Sequence, residues 1–271
     1  MSGGGECWGV SWLLSSRGGP DRSITTKTSM AQQFAFVGRP GRCFALAAAF
    51  VWMGLLGSSL SAGAVDCSSA AAQGINWGGC DRSNLVISGA DLQKADLRRT
   101  DLSLTDLRQA NLTSANLEKA TLVRALLGGA SADKADFGRV EGYRTDFSRV
   151  LATGASFKSA ELQRADFTDA VLTGADFEKA ELGRAVFKGA DLQDNSFSYA
   201  NLARAEFQGA DIGSGLDFTG AYMFLTHLDG VDLSTVKGLQ QPQVDLACGD
   251  TKTKLPAGLT APTSWPCGAY D

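Results

Sequence analysis

A bulky apolar residue recurs at nearly every fifth position from Ile87 to Ile212, over 26 pentads without an insertion or a deletion. Many pentads are variants of Ala-Asp-Leu or Ala-Asp-Phe followed by two further residues. A period of five matches neither the two-residue repeat of a flat strand nor the 3.6-residue repeat of a helix, so the chain must turn a corner once per pentad. The period therefore predicts a solenoid of short straight edges, in which each coil contacts only its neighbours.

The number of edges in each coil can be tested within the sequence. Four edges would give a coil of 20 residues, and successive coils would stack at about 4.8 Å. From residue 137 to residue 207, Phe falls on every tenth position, so that one opposed pair of faces carries rings. The other pair carries smaller residues, including Ala132, Gly142 and Ala152 beside the first rings. This exchange of volume suits a narrow, densely packed interior and favours a four-sided coil.

The remaining pentad positions have distinct roles. Ala is preferred two residues before each central position, as at Ala90 before Leu92, where only a methyl group fits inside the coil. The residue between them is usually Asp, Asn, Glu or Ser, and we expect it to point outward at the corner. A short polar side chain there can accept hydrogen bonds from turn amides.

The repeats resemble those of the pentapeptide-repeat proteins, whose signature is A(D/N)LXX. Residues 90–94 (ADLQK) and 110–114 (ANLTS) match it literally. The resemblance covers residues 87–235 and implies an all-β fold, a right-handed quadrilateral β-helix with capped ends. A one-residue insertion at Gly213-Ser214 shifts the register of the last four pentads. Association of two copies through the C-terminal end is a further expectation that the resemblance raises.

The first 64 residues lie outside the repeats. Arg39 and Arg42 precede an apolar run from Phe44 to Leu56, and Ala62-Gly63-Ala64 follow it, a pattern typical of a signal peptide cleaved after Ala64. The alternative is an uncleaved membrane anchor over residues 43–60, whose length is at the lower limit for crossing a bilayer. The pattern predicts a periplasmic or secreted protein.

The segment before the apolar run has its own ambiguity. Residues 1–29 are rich in Gly and Ser and end just before Met30. We expect residues 1–29 to be disordered or untranslated, with residues 30–64 as the signal peptide. The start codon at Met1 or at Met30 stays open.

Four of the six cysteines follow Ala64, and they flank the repeats in two pairs. The Cα atoms of two bridged cysteines must lie within about 7 Å of each other. The two ends of the rod are roughly 36 Å apart, so no bridge can join them. The sequence therefore predicts the disulfides Cys67–Cys80 and Cys248–Cys267. Such bridges are typical of exported proteins.

The open ends of a solenoid pair with other chains unless they are covered. We expect residues 65–86, with the first disulfide, to form the N-terminal cap. Residues 236–271, which hold four of the six prolines and the second disulfide, are expected to form the C-terminal cap.

The charge balance narrows the class of partner. Removal of residues 1–64 would leave 20 Lys and Arg against 27 Asp and Glu, a net charge of −7. Nucleic-acid binders usually carry a basic excess, so a nucleic-acid partner is not expected. The resemblance raises an alternative, a cytoplasmic DNA mimic that regulates a type II topoisomerase. Export would remove the protein from such a target, and its acidic residues alternate with basic ones.

Arginine recurs every 20 residues on one face, at Arg124, Arg144, Arg164, Arg184 and Arg204. Glu141, Glu161 and Glu181 recur three residues before the second, third and fourth of these. One interpretation is a solvated ion-pair ladder, in which the acidic column compensates the basic one. The other is an interaction strip for a polyanionic partner.

Catalysis has little support in the sequence. It contains neither a Gly-x-Ser-x-Gly elbow nor a Walker loop, and the single histidine, His227, has no evident ligand partners for a metal. A carbohydrate-active enzyme would need a cleft with converging carboxylates such as Asp166 and Asp169, for which the repeats leave no room. We therefore expect a non-enzyme that requires no cofactor.

The sequence as a whole predicts an exported scaffold that binds an unidentified protein partner and that would meet a membrane only if its N-terminal segment were not cleaved. Tyr222 and Phe224 follow the insertion at outward positions. They are expected to pack beneath the C-terminal cap, and the alternative is an exposed contact site.

Overall fold

A computed structural model describes residues 65–267 of the 271-residue chain. The predicted segments 1–29 and 30–64, the cleavage site and the alternative anchor over residues 43–60 lie outside the described residues.

From Asn76 to Asp191, the residue before each central position forms a parallel bridge with the residue 20 positions further on, as Asp91 does with Asn111 and Asn111 with Ser131. The amide of Leu92 donates to the carbonyl of Asn111 at 2.8 Å, and the amide of Asn111 donates back to the carbonyl of Ala90 at 2.9 Å. Each straight side of the coil is so short that the ladders, which extend from Asn76 to Lys254, consist of isolated bridges. This pairing confirms a β solenoid whose coils hold 20 residues on four sides.

A hydrogen-bonded turn closes most pentads. In the pentad around Leu92, the amide of Ala95 donates to the carbonyl of Leu92 at 3.0 Å, and Lys94 adopts a φ of 57°. The Asp91 carboxylate accepts the amide of Gln93 at 3.1 Å. The outward polar residue therefore binds a turn amide, as the sequence predicts.

The central and Ala positions fill the interior and are almost completely buried. Phe137 stacks on Phe157 with ring centroids 4.8 Å apart and planes at 2°. Phe147, on the opposite face, meets Phe137 edge to face at 5.5 Å. Two parallel stacks of rings thus run along the coil axis and interlock across it, in the offset and T-shaped arrangements that aromatic pairs prefer.

The small residues between the rings leave room for larger side chains beside them. A Cβ at Gly142 would lie 2.6 Å from Leu162 Cδ2 and 2.9 Å from Thr145 Oγ1. Thr145 occupies an Ala position and is buried, and its hydroxyl donates to the carbonyl of Leu122 at 2.7 Å. The volume freed by the glycine is therefore taken up by a leucine and a satisfied threonine.

The ladder begins earlier than the predicted boundary at residue 87, because Asn76 already pairs with Asp96. The pentad pattern is hidden there, since Arg82 stands at a central position while Trp77, one pentad earlier, is buried. The segment 65–86 is thus both cap and first coil. Arg82 lies over the Trp77 ring at 4.1 Å and donates to the carbonyl of Ser69.

The predicted insertion at residues 213–214 changes the pairing interval as expected. Ser196 pairs with Asp217 and Asn201 with Tyr222, an interval of 21 instead of 20. The pairing continues past the predicted boundary at residue 235, since Asp232 also pairs with Lys254. The C-terminal cap therefore adds its own rungs to the ladder.

The C-terminal cap contains the one helix within residues 65–267, α1 (Gln241–Leu246). From its first turn, the Gln243 side chain donates to the carbonyls of Phe218 and Ala221 at 2.8 and 2.9 Å. Val244 is fully buried against the last coil. In the described part of the chain, no helix is long and apolar enough to span a bilayer.

Both caps are closed by disulfides, with Cys67 bonded to Cys80 and Cys248 to Cys267. The bridged Cα atoms lie 5.4 and 5.5 Å apart. These are the two pairings that the sequence predicts, one at each end of the rod.

Candidate functional site

The five arginines that recur every 20 residues stand at equivalent corners of five successive coils, and we call them the arginine column: Arg124, Arg144, Arg164, Arg184 and Arg204. Each is the turn residue with positive φ, between 55° and 60°. The first four are exposed and Arg204 is half-buried. The phenylalanine rings inside the coils stack with centroids 4.7–5.0 Å apart. This distance matches the spacing of about 4.8 Å between paired backbone segments, at which the arginines of the column also recur.

The predicted ion-pair ladder is wrong. Within residues 65–267, none of the five guanidinium groups forms a salt bridge or a hydrogen bond, and Glu141, Glu161 and Glu181 pair with no cation. The acidic column lies just before the central position and the arginine column two residues after it, so the width of one side of the coil separates them.

Ion pairs do form elsewhere on the rod, at other positions of the pentad. Arg108 binds Asp106, two residues before it, with two contacts of 2.9 and 2.6 Å. Lys158 reaches Glu178 in the next coil at 3.3 Å, from the equivalent position. The residues next to the arginine column offer no such partner, because they are uncharged: Val123, Tyr143, Gln163, Gly183 and Ala203.

These uncharged residues line a shallow groove that borders Glu141 and Glu161 on one side and Arg164, Arg184 and Arg204 on the other. Part of the groove, lined by residues 163–164, 183–184 and 203–204, has a volume of about 350 Å³. Arg144 lies over the Tyr143 ring at 5.3 Å from its centroid. We call the three columns together, residues 121–124, 141–144, 161–164, 181–184 and 201–204, the arginine face.

The acidic edge of the arginine face consists mainly of hydrogen-bond acceptors. Glu141, Glu161 and Glu181 are exposed. Glu181 accepts the side-chain amide of Asn201 at 2.8 Å, which leaves its second oxygen free to accept. The face thus presents a row of cations along one edge and a row of acceptors along the other.

Two aromatic residues continue the arginine face towards the C-terminus. Tyr222 pairs with Asn201 in the ladder, and Phe224 follows the position of Ala203. Their exposed fractions are 50% and 39%, and their rings stack with centroids 6.4 Å apart. The expectation that they pack beneath the cap is therefore wrong, because α1 covers the end of the coil and leaves this side open.

Away from the arginine face, hydrogen bonds lower the pKa of several carboxylates that lie just before a central position. The Arg98 guanidinium hydrogen-bonds Asp96 and holds the pKa of that carboxyl below its usual value. At Asp81, hydrogen bonds from the amide and the hydroxyl of Ser83 lower the pKa of the carboxyl in the same direction. Hydrogen bonds to a carboxylate stabilise its charged form, so these corner acids serve the turn.

The other candidate residues have structural partners. Asp166 accepts both the amide and the hydroxyl of Thr168, at 2.9 and 2.5 Å, while Asp169 is a turn residue with a φ of 55°. His227 lies in the ladder, with its Nδ1 3.3 Å from Asp229. No cluster of side chains suited to a metal ion occurs among residues 65–267.

The repeat pattern does not reveal the buried hydroxyls that bond to the preceding coil. Thr100 donates to the carbonyl of Trp77 at 2.7 Å, and Thr226 donates to that of Leu202 at 2.8 Å. Both replace Ala at inward positions. The signal is a Thr in a position where Ala is otherwise preferred.

The ladder of 20-residue coils, with a flat face of stacked side chains, defines a four-sided parallel β solenoid that presents columns of like residues. The family model described as pentapeptide repeats matches the chain in eight copies, over residues 66–103, 90–129, 153–189 and 180–213. The chain belongs to the pentapeptide-repeat proteins.

Several solved structures are similar to this chain. HetL, a pentapeptide repeat protein involved in heterocyst differentiation regulation in the cyanobacterium Nostoc, is 23% identical, with 69% of this chain and 86% of HetL covered and a TM-score of 0.39. QnrB1, a plasmid-mediated fluoroquinolone resistance protein, is 15% identical, with 64% and 90% covered and a TM-score of 0.38.

A pentapeptide repeat protein of the Arabidopsis thaliana thylakoid lumen is 30% identical, with 45% of this chain and 68% of that protein covered and a TM-score of 0.16. No curated protein sequence matches the chain.

Proposed function

We propose that the protein is an exported, non-catalytic pentapeptide-repeat scaffold that binds its partner through the arginine face. The observation that carries this proposal is the arginine column, five arginines on successive coils, about 4.8 Å apart along the backbone, whose guanidinium groups form no ion pair in the described structure. Neighbouring unit charges at this spacing repel each other by about 1 kcal/mol even in water. A partner carrying negative charge would relieve that repulsion.

The coil supports such a role because it fixes the geometry of its surface. Backbone hydrogen bonds tie every corner to the coils before and after it, and the ring stacks fill the interior. In a right-handed coil of this kind, as the family resemblance implies, recognition rests on the variable outward positions. The mechanism is surface presentation, without bond-making chemistry.

Export is supported by features at both ends of the sequence. Arg39 and Arg42 precede the apolar run of residues 44–56, which small residues follow. Both caps contain disulfides, and disulfides persist in oxidising compartments such as the periplasm.

A C-terminal fusion to a reporter that is active only outside the cytoplasm tests export. We expect activity with the full chain and none with residues 65–271 alone. As a control, Leu46→Arg places a charge within the apolar run and should abolish the activity. An inactive full-length fusion that is expressed to the same level would contradict export and favour the cytoplasmic, topoisomerase-directed alternative.

N-terminal sequencing of the exported protein separates a cleaved signal peptide from a membrane anchor. Cleavage after Ala64 gives a mature chain that begins with Val65 and is released from washed membranes. A chain that keeps residues 43–60 and stays in the membrane fraction would instead support the anchor.

A further inference from the structure

We propose that the arginine face binds a linear acidic polysaccharide in a two-fold ribbon conformation, with the carboxylates of alternate sugars lying against alternate guanidinium groups. This inference rests on the proposed function as a binding scaffold and names the chemical class of its partner. It requires a ligand that is straight, periodic and anionic along one edge, and that carries hydrogen-bond donors along the other.

The first argument is the spacing of the arginine column. With a coil spacing of about 4.8 Å, the five arginines span about 19 Å in a straight line. A six-membered sugar ring linked through its opposite positions advances a polysaccharide by nearly one coil spacing. In a two-fold chain successive sugars face opposite sides, so the carboxylates on one side recur at about two coil spacings and keep step with every second arginine. Arg is well suited to this contact, because its planar guanidinium binds a carboxylate with two parallel hydrogen bonds.

Other polyanions fit this column less well. In an extended peptide, side chains on one side recur every second residue, at about 6.7 Å, so that acidic residues fall out of step within a few coils. In duplex DNA, the phosphates of one strand rise by about 3.4 Å each and wind away from any straight line. Neither geometry matches five cations in line.

The second argument is the row of acceptors opposite the arginine column. Glu141, Glu161 and the free oxygen of Glu181 can accept hydrogen bonds from sugar hydroxyls across the groove. A polyphosphate or a polyglutamate would instead meet these carboxylates with further negative charge. The small floor residues Gly183 and Ala203 let a flat ring approach the backbone closely.

The third argument is the placement of the aromatic rings. Tyr143 lies on the groove floor beside Arg144, and the stacked pair Tyr222 and Phe224 lies where the groove continues past Ala203. Aromatic faces pack against the C–H faces of sugar rings. Because they also stack on nucleic-acid bases, a single-stranded oligonucleotide belongs in the test.

The test measures binding of the purified, disulfide-intact protein to immobilised polygalacturonate at low salt. The same polymer with its carboxylates converted to methyl esters serves as the uncharged ligand, and poly-glutamate and oligo-dT serve as the other polyanions. We expect binding to polygalacturonate that is at least tenfold tighter than binding to any of the other three polymers.

The variant Arg144→Gln/Arg164→Gln/Arg184→Gln removes the centre of the arginine column. Gln is compatible with these corners, because Gln109 adopts a φ of 59° at an equivalent position. The matched control is Lys94→Gln/Lys134→Gln/Arg149→Gln, which removes three positive charges from corners with φ of 55–57° on other faces. The control residues also have no ion pairs in the described structure, so both variants lose the same charge and no salt bridge.

We expect the first variant to bind polygalacturonate at least tenfold more weakly and the control to stay within twofold of the unmodified protein. Equal losses in both variants, absence of binding by the unmodified protein, or tighter binding to oligo-dT or poly-glutamate would each overturn the inference. The assay uses purified protein, so a failure of export does not affect it, and the two proposals can fail separately.

Discussion

At the scale of single residues, the corners carry a conformational cost that recurs in nearly every pentad. Twenty-one non-glycine residues in the described part of the chain have φ between 53° and 61°. This left-handed conformation costs about 1–2 kcal/mol for a residue with a Cβ. The turn and ladder hydrogen bonds of each corner offset the cost. Glycine avoids this cost, so the protein should be more stable with glycine at a corner than with a residue that has a side chain.

We predict that Gly174→Ala lowers the free energy of unfolding by about 1 kcal/mol. Gly174 has a φ of 70°, and nothing lies within 4 Å of a Cβ added there, so the loss reports backbone strain alone. The control is Gly183→Ala, where φ is not positive and the nearest atom would be 3.7 Å away. This control should be neutral or slightly stabilising in denaturant titrations, and equal losses at both sites would contradict the assignment of strain to the corner.

The corner carboxylates make stability depend on pH. Their pKa values are lowered in the folded state by hydrogen bonds from turn amides and by nearby cations, and the Lys254 ammonium and Ser234 lower that of Asp232 to about 2. A group whose pKa is lower in the folded than in the unfolded state contributes stability above its unfolded pKa, and that contribution disappears as pH falls through the folded value.

We therefore predict a constant denaturant midpoint from pH 7 to pH 5 and a progressive fall between about pH 4 and pH 2. The variant Asp81→Asn should reduce this fall, because an amide oxygen accepts the same turn amide at every pH, as Asn116 accepts from Glu118 at 2.9 Å. An unchanged pH profile in this variant would show that Asp81 carries no part of the acid dependence.

At the scale of a coil, the aromatic stacks join neighbours that are far apart in the sequence. Phe167 stacks on Phe147 at 4.9 Å and on Phe187 at 5.0 Å, and it meets Phe157 and Phe177 edge to face. Since each coil is held by its two neighbours, the loss of one ring affects three coils.

We predict that Phe167→Ala destabilises the protein by about 3–5 kcal/mol, because it leaves a cavity in a fully buried stack. Phe167→Leu should cost less than about 1.5 kcal/mol, since Leu127 and Leu107 occupy the same column two and three coils earlier. Hydrogen exchange should show the largest loss of protection in the coils around residue 167. A similar cost for both substitutions would mean that ring volume does not hold these coils together.

The coil could be predicted from the sequence because its inward positions are periodic. The interval of ten between Phe137 and Phe147 places the rings on opposed faces, and the structure has them there. The ion-pair ladder could not be predicted correctly, because an interval of three between Glu161 and Arg164 does not reveal that the width of one side of the coil separates their side chains. The start of the ladder at Asn76 was hidden for a related reason, since a single Arg82 interrupts the apolar period.

At the scale of the whole molecule, the caps decide whether the rod stays separate from other copies. Gln243 of α1 satisfies two carbonyls of the last coils, and the Trp265 ring donates to the carbonyl of Ala247 at 2.7 Å. The disulfide between Cys248 and Cys267 ties the end of the described chain to this arrangement. An end covered in this way offers few unpaired backbone groups to a second copy.

The last prediction concerns the cap disulfide, whose two cysteines are 19 residues apart. The variant Cys248→Ser/Cys267→Ser should lower the free energy of unfolding by about 3 kcal/mol in the chain-entropy model. It should also convert a monomer into concentration-dependent oligomers in light scattering, because a loosened cap exposes the ladder of the last coils. Cys67→Ser/Cys80→Ser is the control for disulfide loss at the other end, where Trp77 and Arg82 still cover the first coil. A protein that is already a dimer with both disulfides intact would contradict this role, since the C-terminal cap would then not block association.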